Sequence, residues 1–239
     1  GVAGAATALM GATPSSGTMW LPGGLIPMHL AMTDPSVRRN RDRAASACGI
    51  AGLAACLIVV IADLSTAAIY ERLGLFADTI SAMAAGRGAM IMDTALLILV
   101  GGIVAIAFGL WRLRRPGWRW PAAIVALLVV AGIIAAIALF NEYGDGDGND
   151  SWAFHYRLVY ALGLTFTLVP LLTAHDLKPI DRRPWLGSYA LAAAWFAAGP
   201  LMFAVPTGWD GLFERLAAAI MLLWLAGASI FLIRQPAAL

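Results

Sequence analysis

The sequence predicts an all-α, polytopic membrane bundle of six transmembrane helices with both termini on the cytoplasmic side. Three observations carry that expectation: 61% of the 239 residues are hydrophobic, only 13% are charged, and long apolar stretches recur between short polar ones. A soluble domain of this length carries about 25% charged residues. The mean hydropathy of +0.79 belongs instead to a chain whose main solvent is hydrocarbon.

Residues 1–37 differ from the rest, being rich in Gly, Ala, Ser, Thr and Pro, with no charge before Asp34 and no basic-led apolar run of the kind a signal peptide has. Met28 and Met32 are both candidate starts, and the stretch is expected to be a poorly ordered segment ahead of a membrane domain at 38–239.

A helix crossing hydrocarbon of about 30 Å needs about 20 mostly apolar residues. Six segments meet that test, at about 44–64, 89–112, 121–140, 157–175, 186–205 and 212–233. The first follows the basic run Arg38, Arg39, Arg41 and Arg43. The second and third are separated by Arg114-Arg-Pro-Gly-Trp-Arg-Trp120, and the fifth and sixth by Pro206-Thr-Gly-Trp-Asp-Gly211, both rich in helix breakers.

Orientation follows from basic residues, which are retained on the cytoplasmic side of short loops. Of sixteen Lys and Arg, all but Arg72, Arg87, Arg157 and Arg215 fall on one side, which is therefore inside. The loops at 65–88, 141–156 and 206–211 are then outside, and Trp111, Trp118, Trp120, Trp152, Trp185 and Trp209 fall near the two interfaces as an aromatic belt. Bacterial plasma (inner) membrane is the expected location. No internal repeat of the inverted type used by transporters is evident.

Each polar element has two readings. Phe76-Ala-Asp78-Thr79-Ile-Ser81-Ala-Met-Ala-Ala-Gly86 in the first outer loop reads as a short helix capped by Asp78 and ended by Gly86, either lying flat on the membrane or lining a site. Arg87, Arg157 and Arg215 begin spans on the outer side, where topology and the positive end of the helix dipole both disfavour cations. They require anions, and among the acidic residues of the outer side the sequence offers Asp63 at the outer end of the first span, Asp93 in the second and Glu214 in the sixth. Either these groups form ion pairs that tie helix ends together, or the arginines face a cavity that takes an anionic head group or carboxylate. Asp78, Thr79, Ser81, Arg87, Arg157, Glu214 and Arg215 are accordingly the candidate ligand-binding set.

His155 is the candidate catalytic base, with Asp63 or Asp93 as its carboxylate and water or Ser81 as the group it activates; as a lone histidine it reads equally as an interfacial hydrogen-bonding residue. Asp145, Asp147 and Asn149 alternate as in a calcium loop. An EF-hand needs Gly where Asp150 stands and Glu where Tyr156 stands, so no metal site is expected there. Cys48 and Cys56, eight positions apart on one helix, are about 12 Å apart and cannot pair. No phosphate loop, paired-cysteine motif, nucleophile elbow or zinc helix is present. The single lysine, Lys178, lies in a loop rather than a span, which removes a retinal protein. No cofactor is expected, and a net charge of +2 suggests no nucleic-acid partner.

Three motifs resemble those of a bacterial and archaeal multi-pass membrane family known only as domain of unknown function 998: Asp78 to Gly86, His155-Tyr-Arg157, and Gly211-Leu-Phe-Glu214-Arg215-Leu with Leu223-Trp224. The resemblance covers about residues 45–234. It implies the multi-pass fold and marks the outer polar residues as the family's own motif positions, but it implies no activity. Three functions stay open: binding or moving a lipid head group or small anion; an intramembrane hydrolase or transferase; and a scaffold subunit whose Gly49, Gly52, Gly101, Gly102 and Ala190–Ala194 contact other membrane proteins.

Overall fold

A computed structural model describes residues 18–21, 24–27, 35–69, 74–85, 88–140, 149–178, 182–202, 204, 206 and 208–234. The chain divides into two units, Gly1–Asp42 and Arg43–Leu239. In the first, β1 (Thr18–Leu21) and β2 (Gly24–Pro27) pair antiparallel, with Thr18 opposite Pro27 and Leu21 opposite Gly24.

Seven helices are described: α1 (Pro35–Ile69), α2 (Ile80–Ala85), α3 (Ala89–Arg112), α4 (Arg119–Leu139), α5 (Asn149–Leu177), α6 (Arg182–Met202) and α7 (Asp210–Ile233). Five contain stretches long and apolar enough to cross a membrane: Arg43–Ile69, Ala89–Arg112, Arg119–Leu139, Phe154–Leu177 and Asp210–Ile233. The sixth expected span, in α6, is 21 residues long but is diluted by Trp185, Gly187, Ser188, Tyr189 and Gly199, and is not among the five. Helices outrun the apolar windows where nothing breaks them. Most notably, α5 starts at Asn149, two turns before residue 157.

Only 28–44% of each apolar window is buried inside the protein. Leu57, Ile61, Val104, Phe108, Leu128, Leu164, Phe196 and Leu223 point outward, an apolar surface that suits lipid rather than water. This is the physical signature of a multi-pass membrane protein.

With little hydrophobic drive between helices in lipid, close backbone approach holds them together. Gly49 and Gly52 of α1 lie against Ser229 and Leu232 or Ile106, Gly102 of α3 lies against Ala55, and Gly109 lies against Leu232 and Cys48. A Cβ at any of these would collide with its neighbour. These glycines therefore serve internal packing, while Gly101 faces open space. Between α5, α6 and α7 an aromatic cluster fills the core, with Phe166 edge-on to Trp195 (4.9 Å) and Trp224 (6.1 Å). Indole N–H groups are satisfied internally, Trp195 by the Gly163 carbonyl and Trp224 by Ser188 Oγ.

The expected aromatic belt is therefore only partly a belt. Trp111, Trp118 and Trp209 are exposed, but Trp120 is buried and donates to the Leu110 carbonyl at 2.9 Å, closing the α3–α4 turn from inside. At the same end, Arg115, His175, Asp176 and Lys178 surround one recess, so basic loops distant in sequence share one end of the bundle.

Candidate functional site

At the opposite end of the bundle the last two turns of α1, the segment 74–82 and the first two turns of α7 are tied into one knot. Arg215 is its centre. The guanidinium donates Nε to Asp63 Oδ2 (2.9 Å) and Nη2 to Asp63 Oδ1 (3.0 Å), the two-pronged geometry for which arginine is suited. Its Nη1 donates to the carbonyls of Leu75 (2.8 Å), Asp78 (2.8 Å) and Gly211 (3.1 Å). The paired side chains are 15% and 13% exposed, a setting in which an unpaired charge would be costly.

Glu214, one residue earlier, holds the adjoining helix. Its Oε2 accepts the Ile80 N–H (2.5 Å) and its Oε1 accepts the Ser81 hydroxyl (2.9 Å), so a carboxylate sits at the amide-rich start of α2, where the orphan donors and dipole favour it. Thr79 caps the same helix through Ala82 N–H at 3.0 Å. The expected cap, Asp78, instead turns back, its Oδ2 accepting Gly74 N–H at 2.6 Å. That difference is local: Asp78 closes its own turn, which frees the next residue to cap. Leu212 N–H donates to Phe76 carbonyl (3.0 Å), and Phe76 stacks edge-on against Trp209 at 6.0 Å. Gly211 lets α7 press on Asp78, since a Cβ there would collide with the Asp78 carbonyl.

Beneath this roof lies a cavity of about 140 Å³ into which α2 to α7 all contribute. Its walls are apolar, among them Leu99, Ile134, Leu162 and Met221, and its polar lining among the described residues is Ser81, Glu214 and His155. His155 was expected in the outer loop. With α5 beginning at Asn149 it stands inside the helix and inside the bundle, 4% exposed. Its Nδ1 is buried with no hydrogen-bond partner among the described residues. An interior imidazole nitrogen left in that state is uncommon and calls for a ligand or water.

The structure thus brings together Asp63, Asp78, Thr79, Ser81, Glu214 and Arg215, and sets His155 beside Ser81 and Glu214 rather than beside Asp63 or Asp93, neither of which lines the cavity. Arg157 is exposed on α5. Arg87, Asp145 and Asp147, and the side chain of Asn149, lie outside the described residues. A lateral groove of about 470 Å³ opens on the α5–α6 face and shares Val159, Leu162, Trp195 and Ala217 with the cavity. Sequence reasoning missed this groove and the burial of His155. One signal was available: Asn149-Asp150-Ser151 is a run of cap-type residues that marks an earlier helix start. A further cavity of about 130 Å³ near Trp120 has its hydroxyls already engaged, Thr173 with the Val169 carbonyl and Ser188 with Trp224.

Residues 50–230 match the family described as protein of unknown function (DUF998). No curated protein matches the chain, and no solved structure matches it.

Proposed function

The chain belongs to the DUF998 family, whose function is unknown, and from that premise we propose that it binds a membrane lipid by its head group in the cavity of Ser81, His155 and Glu214. In this reading it is an inner-membrane protein with six spans, α6 included, both termini cytoplasmic and the cavity near the outer face. The single observation that carries the reading is the buried Nδ1 of His155, without a partner among the described residues, in a cavity that also holds a carboxylate and a hydroxyl. Leaving such a nitrogen unsatisfied costs about 1–3 kcal/mol, which a bound head group or water removes.

Arg215 plays a supporting part in this proposal. Its donors are engaged by Asp63 and three carbonyls, so its role is to hold the roof over the cavity rather than to receive an anion. The test is to purify the protein from membranes, extract what stays bound and identify it by mass spectrometry. Wild type and Arg157→Ala are expected to retain the same lipid and His155→Leu to lose it. Equal retention by His155→Leu sinks the proposal.

A second reading, a hydrolase or transferase, draws support from the same lining, since a hydroxyl, an imidazole and a carboxylate share one cavity. Ser81 donates to Glu214, so Glu214 rather than Asp63 or Asp93 would be its carboxylate. Chemical conversion of the retained lipid by wild type but not by Ser81→Ala separates the two readings.

A further inference from the structure

We infer that the recess at the basic end of the bundle binds a phosphate ester with a hydrogen-bond donor beside its phosphate, as the amine or hydroxyl of a phospholipid head group provides. This site lies at the opposite end from the His155 cavity and does not depend on what binds there.

Two parts of the chain about 60 positions apart build the recess. Arg115 and Pro116 come from the connection between α3 and α4, and His175, Asp176 and Lys178 from the end of α5; among the described residues these line a space of about 510 Å³. Small-molecule sites fall at roughly 300–1,000 Å³. Cations near the C-terminal ends of helices are favoured by the dipole alone, so bases here do not by themselves make a site. What makes it is a pair of charged side chains that share the recess and do not satisfy each other. Arg115 Nε and Asp176 Oδ2 are both buried, and neither has a hydrogen-bond partner among the described residues. Asp176 is the more unusual of the two, a carboxylate in the last turn of α5, where the carbonyl end of the helix disfavours it. A buried donor and a buried acceptor in one recess call for a molecule that brings the complementary group to each.

Phosphate oxygens accept from the planar donor array of the Arg115 guanidinium, and from Lys178 and His175, which carry N–H donors beside it. Lys178 Nζ stands over the Trp185 ring, 5.5 Å from its centroid, which holds the ammonium at the rim. An ionised carboxylate only accepts, so the same molecule must present an N–H or O–H to Asp176. A quaternary ammonium has the charge but no proton to donate. The turn that carries Arg115 also carries Trp111 and Trp118, 52% and 69% exposed, with the Arg119 guanidinium 5.8 Å from the Trp118 ring centroid. Exposed indoles at the end of apolar helices mark the head-group level of a bilayer, where a phospholipid is at hand. A soluble phosphate ester has the same chemistry and is a separate arm of the test.

The test is native mass spectrometry of the full chain titrated with phosphatidylethanolamine, phosphatidylglycerol and phosphatidylcholine of one acyl composition, and with soluble phosphoethanolamine. Phosphatidylethanolamine and phosphatidylglycerol are each expected to bind at a site that Arg115→Gln or Lys178→Gln weakens about tenfold. Arg114→Gln removes the same charge from an exposed residue that does not line the recess, and is expected to change nothing. Phosphatidylcholine should bind that site about tenfold less tightly than phosphatidylethanolamine, and Asp176→Ala should bring the two level. General attraction of anions to a basic surface predicts otherwise: equal losses in the Arg114 and Arg115 variants, and tighter phosphatidylglycerol binding in Asp176→Ala. Either of those results overturns the inference, as does equal binding of phosphatidylcholine and phosphatidylethanolamine by wild type, or the absence of any Arg115-dependent binding of lipid or of phosphoethanolamine. Displacement of the lipid by equimolar phosphoethanolamine assigns the site to a soluble ester; resistance to displacement assigns it to the lipid.

Discussion

Arg215 and Asp63, 152 positions apart in the chain, meet through two parallel hydrogen bonds of 2.9 and 3.0 Å. The pair joins the end of α1 to the start of α7, and through the Leu75 and Asp78 carbonyls it also fixes the segment that roofs the cavity. Removing one partner leaves a buried charge alone, so Arg215→Ala is expected to destabilise the protein by about 3 kcal/mol. Arg215→Lys keeps the charge, loses the fork and recovers only part. The double variant Asp63→Ala with Arg215→Ala should be less destabilised than the sum of the singles, by more than about 0.5 kcal/mol. Thermal unfolding in detergent measures the wild type and the four variants, and strict additivity would show that the pair does not act as a unit.

Gly101 and Gly102 make a sharper internal comparison, because neighbours on a helix face different ways. A Cβ at Gly102 drives into Ala55 of α1, whereas one at Gly101 meets nothing within 4 Å. Gly102→Ala is expected to cost about 1–3 kcal/mol by overpacking. Gly101→Ala should be neutral or slightly stabilising, since alanine is the better helix former. The two melting temperatures decide it; equal losses would mean that α1 does not sit against α3 as described.

Gly211 tests the roof itself. A Cβ at Gly211 would lie so near the Asp78 carbonyl that Gly211→Ala must push segment 74–82 away from α7, loosening the Glu214 bonds to Ile80 and Ser81. The expected result is faster amide hydrogen exchange at Ile80 and Ala82 with the spans unaffected. Unchanged exchange at both amides would show that the roof does not depend on this contact.

Much of this was legible in the sequence, and the illegible part has an identifiable cause. Hydrocarbon thickness imposes a length on apolar runs, so the helix at Ala89–Arg112 agrees with its expected bounds. The need of Arg215 for an anion was likewise readable, because the dipole and topology rules both act on single residues. What could not be read was that three of its acceptors are carbonyls, since every residue carries one and none is distinctive. His155 was misplaced because hydropathy finds where a span is apolar, and α5 begins two turns before that point. The cavity depends on residues from six helices meeting in space, which no window along the chain reports.

The orientation and the sixth span can be settled by one labelling experiment. Arg114, Lys178, Pro206 and Trp209 are all exposed, the first two in loops expected inside and the last two in the loop after α6. If α6 crosses the membrane, Lys178→Cys and Pro206→Cys lie on opposite sides, although only α6 and its flanks separate them. In cells treated with a membrane-impermeant maleimide, Pro206→Cys and Trp209→Cys are expected to label at once, and Arg114→Cys and Lys178→Cys only after permeabilisation. The native Cys48 and Cys56 lie within α1 among apolar neighbours and give little background. Labelling of Lys178→Cys and Pro206→Cys from the same side would reduce the spans to five and remove the shared-side argument for the termini. Labelling of Arg114→Cys in intact cells would invert the bundle and place the His155 cavity at the inner face.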